Sequence, residues 1–198
     1  MPVTKPMEEY IDNLKLHIED PLAFEKFSWN LIDRLHSYGV TSNSQVVLLC
    51  IGTDRSTGDC LGPLIGSKLS SVEQQFFIIY GTLDHPVHAS NLDEKIEQIQ
   101  FQYPNAFVVA VDACLGRLEN VGCVNIGDGS LQPGAGVNKK LPPVGHIHIT
   151  GIVNVAGFME YLVLQNTRLN IVMKMANLVV EGLKLAASNF QQKESQGF

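Results

Sequence analysis

Val46-Val47-Leu48-Leu49-Cys50-Ile51 is an unbroken apolar run, closed on its C-terminal side by Gly52. It is too short for an ordinary helix. With no polar alternation, it reads as a strand buried on both faces, as in a parallel sheet flanked by helices. The same kind of run returns at 76–80 and at 106–111, and helical stretches near 63–71 and 91–101 fill the intervals. Strand, helix, strand, helix, strand predicts a parallel open sheet. Weaker strands at 122–126 and 146–152 and a long helix over 167–187 complete the expectation: an α/β protein with a three-layer open sheet, mostly parallel.

N-terminal to the deciding run, Leu22, Phe24, Phe27, Leu31 and Leu35 fall mostly three or four apart, which predicts a helix over 21–36. The turn residues of 39–44 separate it from the first strand. The 198 residues therefore divide as one domain: an N-terminal helical extension over 1–44, an α/β core over 45–187 and a polar, loose tail over 188–198. The helix of the extension can dock on its own core or on a second subunit, so a homo-oligomer is left open.

Composition removes several functional classes. The net charge is −6 with 17% charged residues, and Asn138-Lys139-Lys140 is the nearest thing to a basic block. Phosphate-driven binding of nucleic acid is not expected. Cys50, Cys60, Cys114 and Cys123 lie in or beside apolar runs with no CxxC spacing, which argues against a disulfide framework and a thiolate zinc site and for a reducing, cytoplasmic setting. The N-terminus carries Glu8, Glu9 and Asp12 without an apolar core, unlike a signal peptide, and no apolar run approaches the roughly 20 residues that span a bilayer.

In open α/β sheets, sites form beyond the carboxyl ends of the strands where the strand order changes direction. The first strand of the core runs into Gly52-Thr53-Asp54-Arg55-Ser56-Thr57-Gly58-Asp59-Cys60-Leu61-Gly62-Pro63, and the third into Asp112-Ala113-Cys114. If the order begins 2-1-3, these strands are neighbours, and Asp59 and Asp112 face one another. Paired carboxylates cannot both ionise freely, so they share a proton and serve in amide hydrolysis, or they hold a divalent cation with a histidine completing the shell. The bland alternative is that Asp59 caps the following helix and Asp112 ends a strand. A nucleotide loop fits poorly: Asp59 stands where a P-loop carries lysine, and no GxGxxG follows the strand.

Gly58-Asp59-Cys60-Leu61-Gly62-Pro63, Val111-Asp112-Ala113 and the segment Gln132-Pro133-Gly134-Ala135-Gly136-Val137-Asn138-Lys139-Lys140 resemble the bacterial spore germination proteases. Those belong to one superfamily with the HybD-like hydrogenase maturation endopeptidases. The segment from Gly145 to Leu169, with Ile149-Thr150-Gly151-Ile152-Val153-Asn154 and Gly157-Phe158-Met159-Glu160-Tyr161, more closely resembles the YyaC-type sporulation proteins, and that likeness covers roughly 46–183. The resemblance implies a phosphorylase/hydrolase-like fold and a hydrolase of atypical aspartic type. It makes Asp59 and Asp112 the catalytic pair of an endopeptidase linked to sporulation or germination, cutting a protein or peptide in the forespore or spore core.

For hydrogenase maturation enzymes the resemblance implies a metal held by corresponding acids and a histidine. Here His85 and His88 follow the second strand, while His146 and His148 are two apart on a presumed strand and so point to one face; none is singled out by a nearby carboxylate, and no cofactor is required, though a divalent metal stays open. The glycine-rich loop over 127–140 lets main chain approach a ligand closely, which makes Gly134, Gly136, Asn138 and Lys139 substrate-binding candidates. Cys60 and Cys114 lie beside the two acids but have no adjacent histidine to activate them, so packing is the preferred reading. Asp54, Arg55, Asp84 and Asp128 have weaker claims to the pocket. Two other functions stay open: a non-catalytic sporulation protein that keeps the pocket to bind a partner, and a hydrolase of a small amide.

Overall fold

Unbroken apolar strands need cover on both sides, and the computed structural model, which describes residues 13–133 and 141–194, supplies it. The deciding run forms β2 (Val46–Cys50), buried along its whole length. Around it the chain lays down β1 (Leu14–His17), α1 (Ala23–Ser37), α2 (Leu61–Ser70), β3 (Phe77–Tyr80), α3 (Leu92–Gln102), β4 (Phe107–Gly116), β5 (Cys123–Asp128), β6 (Ile147–Val155), α4 (Glu160–Gln165) and α5 (Leu169–Glu194). The sheet order is β1-β5-β6-β4-β2-β3. The second, first and third strands of the core are thus adjacent in that order, and all three run parallel.

The sheet is not parallel throughout. β4 pairs parallel with β6, but β5 pairs antiparallel with β6, and β1 antiparallel with β5. Among the described residues no helix separates β5 from β6, and the chain returns along the neighbouring track instead of crossing over. The result is a three-layer α/β fold whose open sheet is parallel at β3, β2, β4 and β6.

Alternation across the strands assigns the two faces. Val46, Leu48, Cys50, Val109, Val111, Ile147 and Ile149 point to one side, where α1, α2 and α5 cover them with Phe27, Leu31, Leu35, Leu61, Ile65, Met175 and Val179. Val47, Leu49, Ile51 and Ala110 point to the other, against Leu92 and Ile99 of α3 and Val144 of the β5–β6 loop. Among the described residues, no helix is long and apolar enough to cross a membrane.

Both ends of the described part of the chain differ from the elements expected there. Leu14–His17 is a strand, with Leu16 buried between exposed Lys15 and His17, and it extends the sheet at its edge. At the other end α5 continues past residue 187. Phe190 is buried and stacks on Phe76 at 4.4 Å, in step with Leu183, Ala186 and Ala187 on one helix face. The stretch expected as a helical extension and the first part of the expected loose tail therefore enter the same core as the central strands. Residues 195–198 lie outside the described residues.

Candidate functional site

β4 outlasts β2. Cys50 pairs with Val111, the last register between the two strands, while β4 goes on to pair with β6 from Asp112 to Gly116. Asp112 is therefore the first residue of β4 beyond the end of β2. It shares the α3-side face with Ala110, opposite Thr150 of β6, and with His148 one register earlier. α3 does not reach this far, and a cavity of about 570 Å³ opens there.

The loop after β2 fills the other side of the gap. Ile51 N–H donates to the Val111 carbonyl (2.7 Å) and Gly52 N–H to the Val87 carbonyl (2.8 Å), tying the strand end to both neighbours. The chain then makes a circuit, and Thr53 N–H donates to the Asp59 carbonyl at 3.1 Å. Gly52 has φ +142°, and a Cβ there would overlap the Asp59 carbonyl oxygen, so glycine is what lets the loop close on itself. Gly58 N–H donates to the Leu164 carbonyl of α4 (2.8 Å), joining the loop to the far wall.

Asp59 and Asp112 line the same cavity. Asp59 is not spent as a helix cap: Cys60 holds the cap position of α2, and no side-chain capping bond is made there. Burial pushes the Asp59 carboxyl above the ordinary aspartate range, opposed by the Thr53 N–H and by positive charge at His88. Asp112 is only 7% exposed, and its Oδ1 accepts the Ala113 N–H at 2.8 Å. Two carboxyls thus line one partly dehydrated space, and Asp59 is biased toward its protonated form.

The thiols are set the other way. Burial and the neighbouring Asp112 charge push Cys114 up to about 11, against a hydrogen bond with Thr150. Cys60 is raised by burial and by the charges of Asp59 and Asp54, and its Sγ donates to the Thr57 carbonyl at 3.0 Å. Both remain protonated at neutral pH, which deprives them of nucleophilic character.

Of the histidines, His88 and His148 line the cavity. His148 Nδ1 is 3.1 Å from the Gly129 carbonyl. His146 lies at the other end of the sheet, where Nδ1 accepts the Val108 N–H (2.9 Å) and the ring stacks on Phe107. His85 and Asp84 are exposed and outside the cavity lining. Arg55 lines it, whereas Asp54 does not. Asp128 is bound 2.6 Å from the buried Arg34 of α1. Among the described residues, no group of three or more His, Cys, Asp and Glu is placed to hold a metal ion. The metal shell implied by the hydrogenase maturation resemblance does not fit these donors.

Gly134, Gly136, Asn138 and Lys139 lie outside the described residues. Their neighbours Gln132, Pro133 and Leu141 line the cavity. Ser56, Thr150, Glu160, Tyr161 and Leu164 also line it and had no assigned role in the sequence.

Residues 15–182 match the family described as "Protein of unknown function (DUF1256)". The chain belongs to this family. It is 63% identical over 140 residues to the uncharacterized protein YyaC of Bacillus subtilis (strain 168), an alignment that covers 71% of this chain and 68% of that protein. Among solved structures it is similar to the [NiFe] hydrogenase maturation protease HycI from Thermococcus kodakarensis KOD1, with 19% identity, a TM-score of 0.46, and coverage of 71% of this chain and 93% of that chain.

Proposed function

We propose that the chain is an endopeptidase that hydrolyses a peptide bond with the pair Asp59 and Asp112. The observation that carries this reading is that two carboxyls, delivered by separate strand ends, line one cavity walled by loop residues and by apolar side chains. Asp112 acts as the base. It takes a proton from a water as the water oxygen bonds to the carbonyl carbon. Asp59, held toward its neutral form by burial, gives its proton to the amine as the C–N bond breaks. The proton on Asp112 then resets Asp59 through solvent, so each turnover consumes one water.

The resemblance to germination proteases supports a role in sporulation or germination, with a protein or peptide substrate inside the forespore or spore. A peptide pool made by digesting a bacterial proteome, with new termini read by mass spectrometry, tests the activity. Asp59→Asn and Asp112→Asn should each abolish the cleavage that the parent chain produces while leaving the far-UV spectrum unchanged. Cleavage that survives in both variants removes the proposal.

A further inference from the structure

Most polar groups of the loop after β2 are spent inside the fold. Thr53 Oγ1 accepts the Arg55 N–H and Cys60 Sγ donates to the Thr57 carbonyl. Ser56 differs. It lies three residues before Asp59 and lines the same cavity. The residue is 7% exposed, and its hydroxyl oxygen is shielded from solvent with no hydrogen-bond partner among the described residues. A buried hydroxyl left in this state destabilises the free protein, and of Glu25, Ser28 and Ser56, whose shielded oxygens share it, Ser56 is the one that lines the cavity, where a ligand can satisfy it.

The other walls have a different chemistry. Leu131, Pro133 and Leu141 from the β5–β6 loop, Leu115 from β4, and Tyr161 and Leu164 from α4 give the cavity a mainly apolar enclosure. These six carry no charge, while Arg55, Glu160 and the two acids line the cavity elsewhere. The volume of about 570 Å³ falls within the range of sites that enclose a small ligand or a few residues of a peptide.

We propose that the cavity takes a peptide segment bearing a large uncharged side chain, seated against Leu131, Leu141, Tyr161 and Leu164, and that the Ser56 hydroxyl bonds the main chain of that segment. The inference rests on the endopeptidase reading for the ligand being a peptide. It adds which peptides enter and which residue holds them.

Binding tests it separately from turnover. Fluorescein-labelled alanine-based decapeptides, differing in one central residue (Leu, Phe, Lys or Asp), are titrated by anisotropy into the Asp59→Asn chain, which leaves them uncut. The Leu and Phe peptides should bind at least about tenfold more tightly than the Lys and Asp peptides, from burial of the side chain alone. Adding Ser56→Ala should weaken the Leu peptide about fivefold, the effect of one lost hydrogen bond, while raising the midpoint of thermal unfolding, because an unsatisfied polar group has gone. Equal or reversed preference among the four peptides overturns the inference, as does no binding of any, or a Ser56→Ala chain that binds normally or melts lower. Peptides that bind with the expected preference but are never cut by the unsubstituted chain support this inference and sink the endopeptidase reading instead.

Discussion

The two faces of the sheet are covered to different extents, and the difference separates stability from chemistry. On one face, α1, α2 and α5 seal the strands with interlocked apolar side chains. On the other, α3 covers β2 and its surroundings, and the carboxyl ends of β4 and β6 are left to a loop and to α4. The sealed face holds few polar groups, and its shielded Ser28 hydroxyl on α1 does not line the cavity. The partly open face holds three carboxyls (Asp59, Asp112 and Glu160), a shielded hydroxyl and two histidines around one cavity.

The sharpest way to break this comparison is to truncate one apolar side chain on each face. Phe190→Ala on the sealed side should cost roughly 3–5 kcal/mol in urea unfolding, because its ring is fully enclosed and stacked on Phe76. Leu141→Ala, half-buried at the cavity wall, should cost less than about 1 kcal/mol and appear instead as weaker peptide binding. Similar losses of stability from the two would refute the distinction.

An intermediate effect is expected at the seam. A Cβ at Gly58 would stand 2.9 Å from both Leu164 Cδ2 and Thr167 Oγ1. Gly58→Ala should destabilise by roughly 1–3 kcal/mol, as overpacking does, and lower cleavage disproportionately, since Asp59 is the next residue. Melting curves and turnover measured on the same preparation separate the two losses.

A smaller effect concerns pH. Asp59 has a folded pKa above its unfolded value, so between those values the folded chain binds more protons than the unfolded one, and stability from this group falls as pH rises through that window. Asp59→Asn should therefore melt at a higher temperature than the parent at pH 7. The gap should close as the pH falls below the ordinary aspartate value of 3.8. Melts across pH 3.5–8 that show no narrowing would mean that burial does not penalise this carboxylate.

The smallest effect is a reactivity that stays absent. With Cys114 titrating at about 11, alkylation by iodoacetamide should be slow at pH 7.5 and accelerate steadily to pH 10. Rapid labelling of Cys114 at neutral pH, mapped by peptide mass spectrometry, would put a thiolate beside Asp112 and return cysteine chemistry to the site.

The sealed face was legible in the sequence because burial on both sides erases alternation. Val46 to Ile51 and Ala106 to Val111 announce themselves as strands, and their adjacency brings the loop after β2 beside Asp112. Leu14–His17 escaped because four alternating residues carry too little pattern. The end of α5 escaped because a single aromatic, Phe190, continues the buried face through otherwise polar residues. The cavity was half legible. Its acids follow apolar runs directly, but Ser56 owes its burial to a loop closing through Gly52, and Glu160 and Tyr161 owe their position to a six-residue helix with no apolar period to mark it. His148 was visible as a candidate, while His146, two residues earlier, is occupied by the backbone of β4.

The bond from Gly58 to the Leu164 carbonyl has a mechanical meaning. It clamps the turn carrying Asp59 to the last full turn of α4, and Asn154 Nδ2, bonded to the Val163 carbonyl and to Thr167 Oγ1, anchors that turn to β6. Leu164, part of the cavity wall, is thereby joined through one short hydrogen bond to the amide of the residue before the acid. The barrier an occupant leans on and the group that would act upon it share a single hinge.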